Sequence, residues 1–159
     1  MDGFSIREAR RNDLTAIGEL WYELMSLHRR LDSRFHCAQQ DIPEYTRHTY
    51  RMMKTRDARV LVVEWEKTGE VVGYLIGELQ PRVYGAVRGV YGFVSDVFIS
   101  EEYRRHGVGH TLFAEIKRWF VLRGATSVQL YASVANTESQ AFWKAMGLEP
   151  YLTLLHLDL

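Results

Sequence analysis

The run Arg104-Arg105-His106-Gly107-Val108-Gly109-His110-Thr111-Leu112 separates a stretch of strand character, Val90 to Ile99, from a helical one that opens at Gly107 and extends to about Arg123. In the helical stretch Val108, Leu112, Ile116, Trp119 and Phe120 recur at helical spacing, and Gly124 follows where a C′ glycine stands. Any helix opens with four backbone N–H groups that lack intrahelical partners, and the macrodipole adds partial positive charge there. Glycines let an anion approach such a backbone, and Arg104, Arg105, His106 and His110 thicken the positive rim. The run therefore predicts a site for a phosphate or pyrophosphate. It reads equally as a helix start whose two glycines serve a tight turn.

Outward from this turn, both directions show short elements. Phe4 to Arg10 alternates as a strand, and Asn12 is placed to cap the helix after it. Leu14, Ile17, Trp21, Leu24, His28 and Leu31 step by helical intervals, and His28 reads either as a structural histidine or as a substrate contact. Pro43 suits the first turn of a second helix reaching about Arg56. Val60 to Trp65 and Val71 to Leu79 form a hairpin across Lys67-Thr68-Gly69-Glu70; a loop with Gly85 and Gly89 then leads to the Val90–Ile99 strand. Downstream come a strand from Thr126 to Ser133, a helix from Asn136 to Met146 and a last strand from Tyr151 to Leu157. The order β, α, α, β, β, β, α, β, α, β is mixed α/β.

Length and composition bound the rest. The chain has 159 residues, the size of one domain, 1–159, and its 47% hydrophobic and 25% charged content is that of a folded globular protein. Twenty basic residues balance twenty acidic ones, so no overall field favours nucleic acid or an anionic membrane. The single Cys37 allows no intrachain disulfide and no multi-cysteine zinc site. The charged start MDGFSIREARRND and the absence of a long apolar run predict a cytoplasmic protein.

Which phosphate ligand the turn takes is narrowed by what is missing. No GxxxxGK followed by Ser or Thr occurs, which removes phosphate-loop nucleotide hydrolases. A dinucleotide fingerprint needs a third glycine where Leu112 stands, early in a βαβ unit.

The chain resembles the GNAT superfamily of acyl-CoA-dependent N-acetyltransferases in three segments. Arg104, Gly107 and Gly109 match the motif of Arg or Gln, two residues, Gly, any residue, Gly or Ala. Asp96-Val97-Phe98-Ile99 followed by Glu102-Tyr103-Arg104 resembles the strand leading into it. Asn136, Ser139, Phe142, Trp143, Gly147 and Leu148 resemble the family's second motif. The resemblance implies a central mixed, largely antiparallel sheet flanked by about four helices, with acetyl-CoA as co-substrate and no metal. It also implies roles for named residues. Backbone groups of Val97 and Ile99 would bond the pantetheine arm, and N–H groups of Arg105, His106, Gly107, Val108, Gly109 and His110 would hold the pyrophosphate. Asn136 would contact the pantetheine, with Ser139 and Phe142 beside it. The acetyl carbonyl would lie near Val97 and Phe98, polarised by a backbone N–H.

Amine acetylation needs a neutral amine, a polarised thioester and a proton for the thiolate. Asp96 is the candidate base, on a strand similar to that of spermidine-type members; here its neighbour is Ser95 rather than a second acid. A carboxylate tied to an arginine or to backbone N–H groups is its other reading. Where the family often carries a tyrosine as general acid, this chain has Trp143, whose indole N–H donates a hydrogen bond but does not release a proton. Water, or Tyr131 or Tyr103, could then protonate the thiolate, or the protein could bind acyl-CoA without turning it over. The family's acceptor site would draw on His28, Arg29, Asp32, Phe35, His36, Tyr84, Tyr91 and His156, and Glu64, Glu66, Glu70, Glu78 and Asp96 would form an acidic surface for a cationic amine. The acceptor is expected to be an amine on a small molecule or protein. Nucleic acid and membrane are not expected partners, and a homodimer through strand or helix edges, Tyr151 to Leu157 among them, fits the family.

Overall fold

In the computed structural model, which describes residues 3–82 and 89–157, the chain forms one five-stranded sheet with helices on both faces. In chain order the elements are β1 (Phe4–Glu8), α1 (Leu14–Leu31), α2 (Ile42–Met52), β2 (Ala58–Trp65), β3 (Glu70–Pro81), β4 (Val90–Ile99), α3 (Val108–Leu122), β5 (Ala125–Leu130) and α4 (Thr137–Ala145). Single 3-10 turns at Arg11–Asp13, Gln39–Asp41 and Glu101–Tyr103 link them. The strands lie in the order β1-β2-β3-β4-β5, antiparallel except for the parallel β4–β5 pair. The mixed α/β class and the largely antiparallel sheet with four helices agree with the expectation. Among the described residues no helix is long and apolar enough to cross a membrane.

Strand alternation sends each strand's apolar side chains to two cores. On one face Leu61 and Val63 of β2 join Leu75, Val94, Leu112 and Ile116 under α3. On the other Val60 and Val62 join Ile17, Leu20, Tyr74 and Phe98 under α1 and α2. The hairpin β2–β3 closes where the N–H groups of Thr68 and Gly69 donate to the Trp65 carbonyl at 3.1 and 2.8 Å, with Gly69 at a φ of +74°. At Gly92 a β-carbon would strike the Phe120 ring, so α3 lies close against β4 only because that side chain is absent.

Several expectations shift. Asp13 rather than Asn12 stands at the N-cap of α1, without a side-chain bond into the helix: its carboxylate turns back to accept the Arg10 N–H at 2.6 Å and two bonds from the Arg7 guanidinium at 2.7 and 3.0 Å. Helix α2 stops at Met52, short of Arg56, and β5 stops at Leu130, short of Ser133. The expected last strand, Tyr151 to Leu157, is absent: these residues are irregular and exposed. Strand character in a sequence is satisfied only when an edge is there to pair with, and within one chain this segment pairs with none. Tyr84 and Gly85 lie outside the described residues.

Candidate functional site

The site begins with a mismatch of strand lengths. β4 pairs with β3 along its whole length, from Pro81↔Val90 to Gly73↔Ile99, whereas its pairing with β5 ends at Val94↔Leu130. Among the described residues nothing pairs with the outer edge of β4 beyond Val94 on the β5 side. At that point a bulge occurs: Asp96 faces Ile76 and Val94 faces Gly77, so Ser95 is an extra residue, exposed, with its hydroxyl 3.4 Å from the Ile76 carbonyl. The inserted residue reverses the strand's phase. Val94, Val97 and Ile99 pack on the α3 side, and Phe98 packs under α1 and α2. The Ser100 N–H donates to the Val72 carbonyl at 2.9 Å, so by alternation the polar backbone of Phe98 turns to β3 while that of Val97 and Ile99 turns to the open edge.

That open edge leads into the glycine turn. Arg105 has a φ of +67° and Gly107 one of +75°, the left-handed region that a non-glycine residue such as Arg105 adopts at a cost. Alternating hands of this kind make successive N–H groups converge, and α3 adds those of its first turn. Gly107 has open space around the position of a β-carbon. Gly109 is different: a β-carbon there would meet Phe142 at 3.3 Å and Ile99 at 3.5 Å, so it serves the packing of α3 on α4.

The arginines are anchored. Arg104 donates from Nε to the Ile99 carbonyl at 2.8 Å, lies over the Phe98 ring at 5.3 Å, and approaches Glu138 at 3.6 Å. Arg105, largely exposed, pairs with the same Glu138 at 2.9 Å. Glu138 thus offsets part of the positive rim. His106 is exposed with its ring 5.8 Å from that of Phe4, and His110 is exposed on the first turn of α3.

From the far side of the gap comes α4. Asn136 caps it, its side-chain oxygen accepting the Ser139 N–H at 3.0 Å. Phe142 rests on Gly109 and on Trp143, with ring centroids 4.8 Å apart. Trp143 itself is buried, 6% exposed, edge-on to Phe113 at 5.3 Å. Of the alternative tyrosines, Tyr103 stands beside Phe4 and Trp65, near the opposite edge of the sheet, where burial and then Glu70 push its hydroxyl pKa up. Tyr131 follows β5 directly and meets Phe93 of β4 edge-on at 5.4 Å, at the mouth of the gap.

On the α1/α2 side Asp96 gathers partners that the sequence did not single out. The Tyr45 hydroxyl lies 3.1 Å from that of Tyr74, hydrogen-bonds Asp96, and its ring stacks on Trp21 at 4.5 Å. Burial pushes the Asp96 carboxyl above the usual carboxylate range; the Tyr45 hydrogen bond and nearby His48 pull it down, and Glu78 pushes it up. Burial and then Asp96 raise Tyr45, which therefore stays protonated. Tyr45 and His48, three apart on α2, share a helical face, a signal open to sequence reading once the helix is in register.

Of the five residues expected to form an acidic surface, Asp96 feels the charge of Glu78. Glu64 is bound by Arg7 at 2.7 Å, and Glu70 lies near Tyr103. Among the residues expected at the acceptor site, His28 stacks on Phe35 at 4.9 Å, and His156 lies within electrostatic reach of Asp32. Burial lowers the pKa of His28. Arg34 holds Asp32 down to about 2. Tyr91 is on β4, paired with Gln80, and His36 is exposed.

The mixed sheet with helices on both faces, opened beside a bulge and leading by its free edge to a helix N-terminus, is an α/β fold of a definite kind. Residues 21–148 match the model of the acetyltransferase (GNAT) family, and the chain belongs to that family. No curated protein matches significantly. Among solved structures, a tetramutant of the BH1408 protein from Bacillus halodurans superposes with a TM-score of 0.86 at 18% identity, covering 98% of this chain and 99% of that one. An aminoglycoside acetyltransferase, meta-AAC0020, from an uncultured soil metagenomic sample and in complex with sisomicin, gives 0.71 at 16% identity, covering 99% and 97%. The aminoglycoside N-acetyltransferase AAC(6')-Iy in complex with CoA gives 0.72 at 18%, covering 98% and 93%. At these identities the likeness is one of fold.

Proposed function

We propose that the protein transfers the acetyl group of acetyl-CoA to a primary amine, on a small molecule or on a protein, by direct attack in a ternary complex. The observation that carries this reading is the outer edge of β4 beyond the Ser95 bulge, left open by β5 and continuous with the turn at Arg105 and Gly107. A pantetheine arm has amide groups that such an edge can bond, and a pyrophosphate suits converging N–H groups at a helix start. In this reading Val97 and Ile99 offer the edge, residues 105–110 the anion site, and Asn136, with its oxygen spent on capping, the remaining amide group. Ser139 and Phe142 shape the α4 wall, and Arg104 holds the turn.

Asp96, its pKa raised by burial, takes a proton from the amine directly or through a water. The freed nitrogen pair attacks the thioester carbon, and a backbone N–H near Val97 and Phe98 takes charge developing on the carbonyl oxygen. Collapse breaks the C–S bond; the attacking nitrogen releases its second proton to water, and the thiolate takes a proton from water, so that the amide and the CoA thiol leave neutral at the reacting atoms. Glu78 beside Asp96 favours a cationic acceptor.

The test is thermal melting with and without acetyl-CoA, followed by CoA release with a panel of amines. Acetyl-CoA at a hundred times its dissociation constant stabilises by about 2.7 kcal/mol; no shift overturns the reading. The burial of Trp143 favours one alternative, an acyl-CoA-binding module without turnover, and a melting shift with no CoA release above background would establish it.

A further inference from the structure

Both arginines of the glycine turn share one carboxylate. The two oxygens of Glu138 are divided between them, Oε1 standing 2.9 Å from Arg105 Nη2 and Oε2 3.6 Å from Arg104 Nη1. The contact reaches from the first turn of α4 to a residue 33 positions earlier in the chain, so it ties the α4 wall to the loop that carries the anion site. Two oxygens of one anion, each facing a guanidinium, is also the arrangement a phosphate would take there.

Helix chemistry accounts for only part of this. An acid in the first turn of α4 suits the helix dipole, but positions 137 and 139, turned about 100° to either side, would serve the dipole without facing both arginines. The two arginines are also held differently. Arg104 keeps a bond to the Ile99 carbonyl at 2.8 Å whatever Glu138 does, whereas the side chain of Arg105 is 83% exposed and is positioned by the ion pair. Arg105 is therefore the guanidinium that can change partners.

We propose that Glu138 is an intramolecular competitor for the phosphates of the acyl donor: it holds the Arg105 guanidinium until a phosphate displaces it, and takes it back as the phosphate leaves. The inference rests on the acetyl-CoA reading above. Acetyl-CoA and CoA carry the same phosphates, so the competition weakens both alike. Binding lost equally from the ground and transition states raises KM for the donor without slowing the chemical step, and it lets product CoA go more readily. Glu138 thus sets how readily the cofactor exchanges, and touches no reacting atom.

Calorimetric titration of the full chain with CoA at low ionic strength decides this, using Glu138→Gln, which keeps the shape and removes the charge. An exposed ion pair changes an equilibrium constant by a few-fold, so the variant is expected to bind CoA about threefold more tightly than the wild type. The gain is expected to fade at about 1 M salt, where the Debye length falls to about 3 Å. In an Arg105→Gln background the same substitution is expected to bring no gain, because the guanidinium it would release is gone. Equal or weaker CoA binding by Glu138→Gln, or a full gain in the Arg105→Gln background, overturns the competition and leaves the acetyl-CoA reading standing. A wild type that binds no CoA overturns both.

Discussion

The side chain of Arg104 turns back on the strand that precedes it, its Nε donating to the Ile99 carbonyl at 2.8 Å while the guanidinium covers the Phe98 ring. This contact fixes the angle at which the open edge of β4 enters the glycine turn. A planar fork that bonds and stacks at once is not reproduced by an ammonium group.

Arg104→Lys is therefore expected to weaken both the fold and acetyl-CoA binding. A charge-assisted bond of this kind contributes roughly 1.5–3 kcal/mol to the folded state, read as a loss of about 2–4 °C in melting temperature per kcal/mol in a domain of this size. With the turn no longer held, the dissociation constant for CoA is expected to rise about tenfold. A melting curve checks the first, calorimetric titration with CoA the second. Equal affinity in the two proteins would show that the contact has no part in binding.

Gly109 and Phe142 supply a second test, because the space denied to a β-carbon at Gly109 is filled by the Phe142 ring at 3.3 Å. Gly109→Val is expected to lose about 1–3 kcal/mol of stability by overpacking, and Phe142→Leu in the same chain to recover part of it. Urea unfolding of the two single variants and the double variant measures the coupling. Strict additivity would remove the packing account and return Gly109 to a role at the ligand.

Much of this was legible in the sequence because each element carries a local signal. The hairpin shows Val60 to Trp65 and its Gly69 turn; α3 shows its apolar stripe between Gly107 and Gly124. Long-range relationships left no such mark. The Asp96–Tyr45–Tyr74 cluster joins three elements, and only the packing of α2 on the sheet brings its members together. The Ser95 bulge depends on where β3 and β4 pair, which no single strand encodes. The last segment misled for the opposite reason: its strand pattern is strong, but a pattern does not name the edge that completes it.

Asp96 titrates in a way that links rate and stability. Its folded pKa is raised above the ordinary 3.8, so its protonated form favours the fold. That contribution is fully present below the unfolded value and is lost as pH rises through the folded one. Asp96→Asn is thus expected to melt at a higher temperature than the wild type at pH 7, by a margin that vanishes below the ordinary value of 3.8, and to acetylate about a hundredfold more slowly or worse. The Tyr45 hydrogen bond favours the charged carboxylate, so Tyr45→Phe moves the acidic limb of the rate profile to higher pH. A limb unmoved by Tyr45→Phe, with the rate still lost in Asp96→Asn, would leave Asp96 as base and remove Tyr45 from its control.

The source of the thiolate's proton separates Trp143 from Tyr131. Trp143 is packed edge-on to Phe113 and Phe142 in the α3-side core. In Trp143→Tyr the hydroxyl would enter an apolar site and cost about 1–3 kcal/mol where it finds no partner, with no gain in rate. Tyr131, 81% exposed and touching Phe93 at the mouth of the gap, is the tyrosine placed to compete with water. General acid catalysis by a side chain contributes roughly 10²–10⁴ in rate, whereas water can protonate a thiolate whose conjugate acid has a pKa of about 8.5 unaided. Tyr131→Phe is accordingly expected to keep kcat within about threefold of wild type, measured by CoA release at saturating acetyl-CoA. A loss of a hundredfold, with acetyl-CoA still shifting the melting temperature, would instead make Tyr131 the acid.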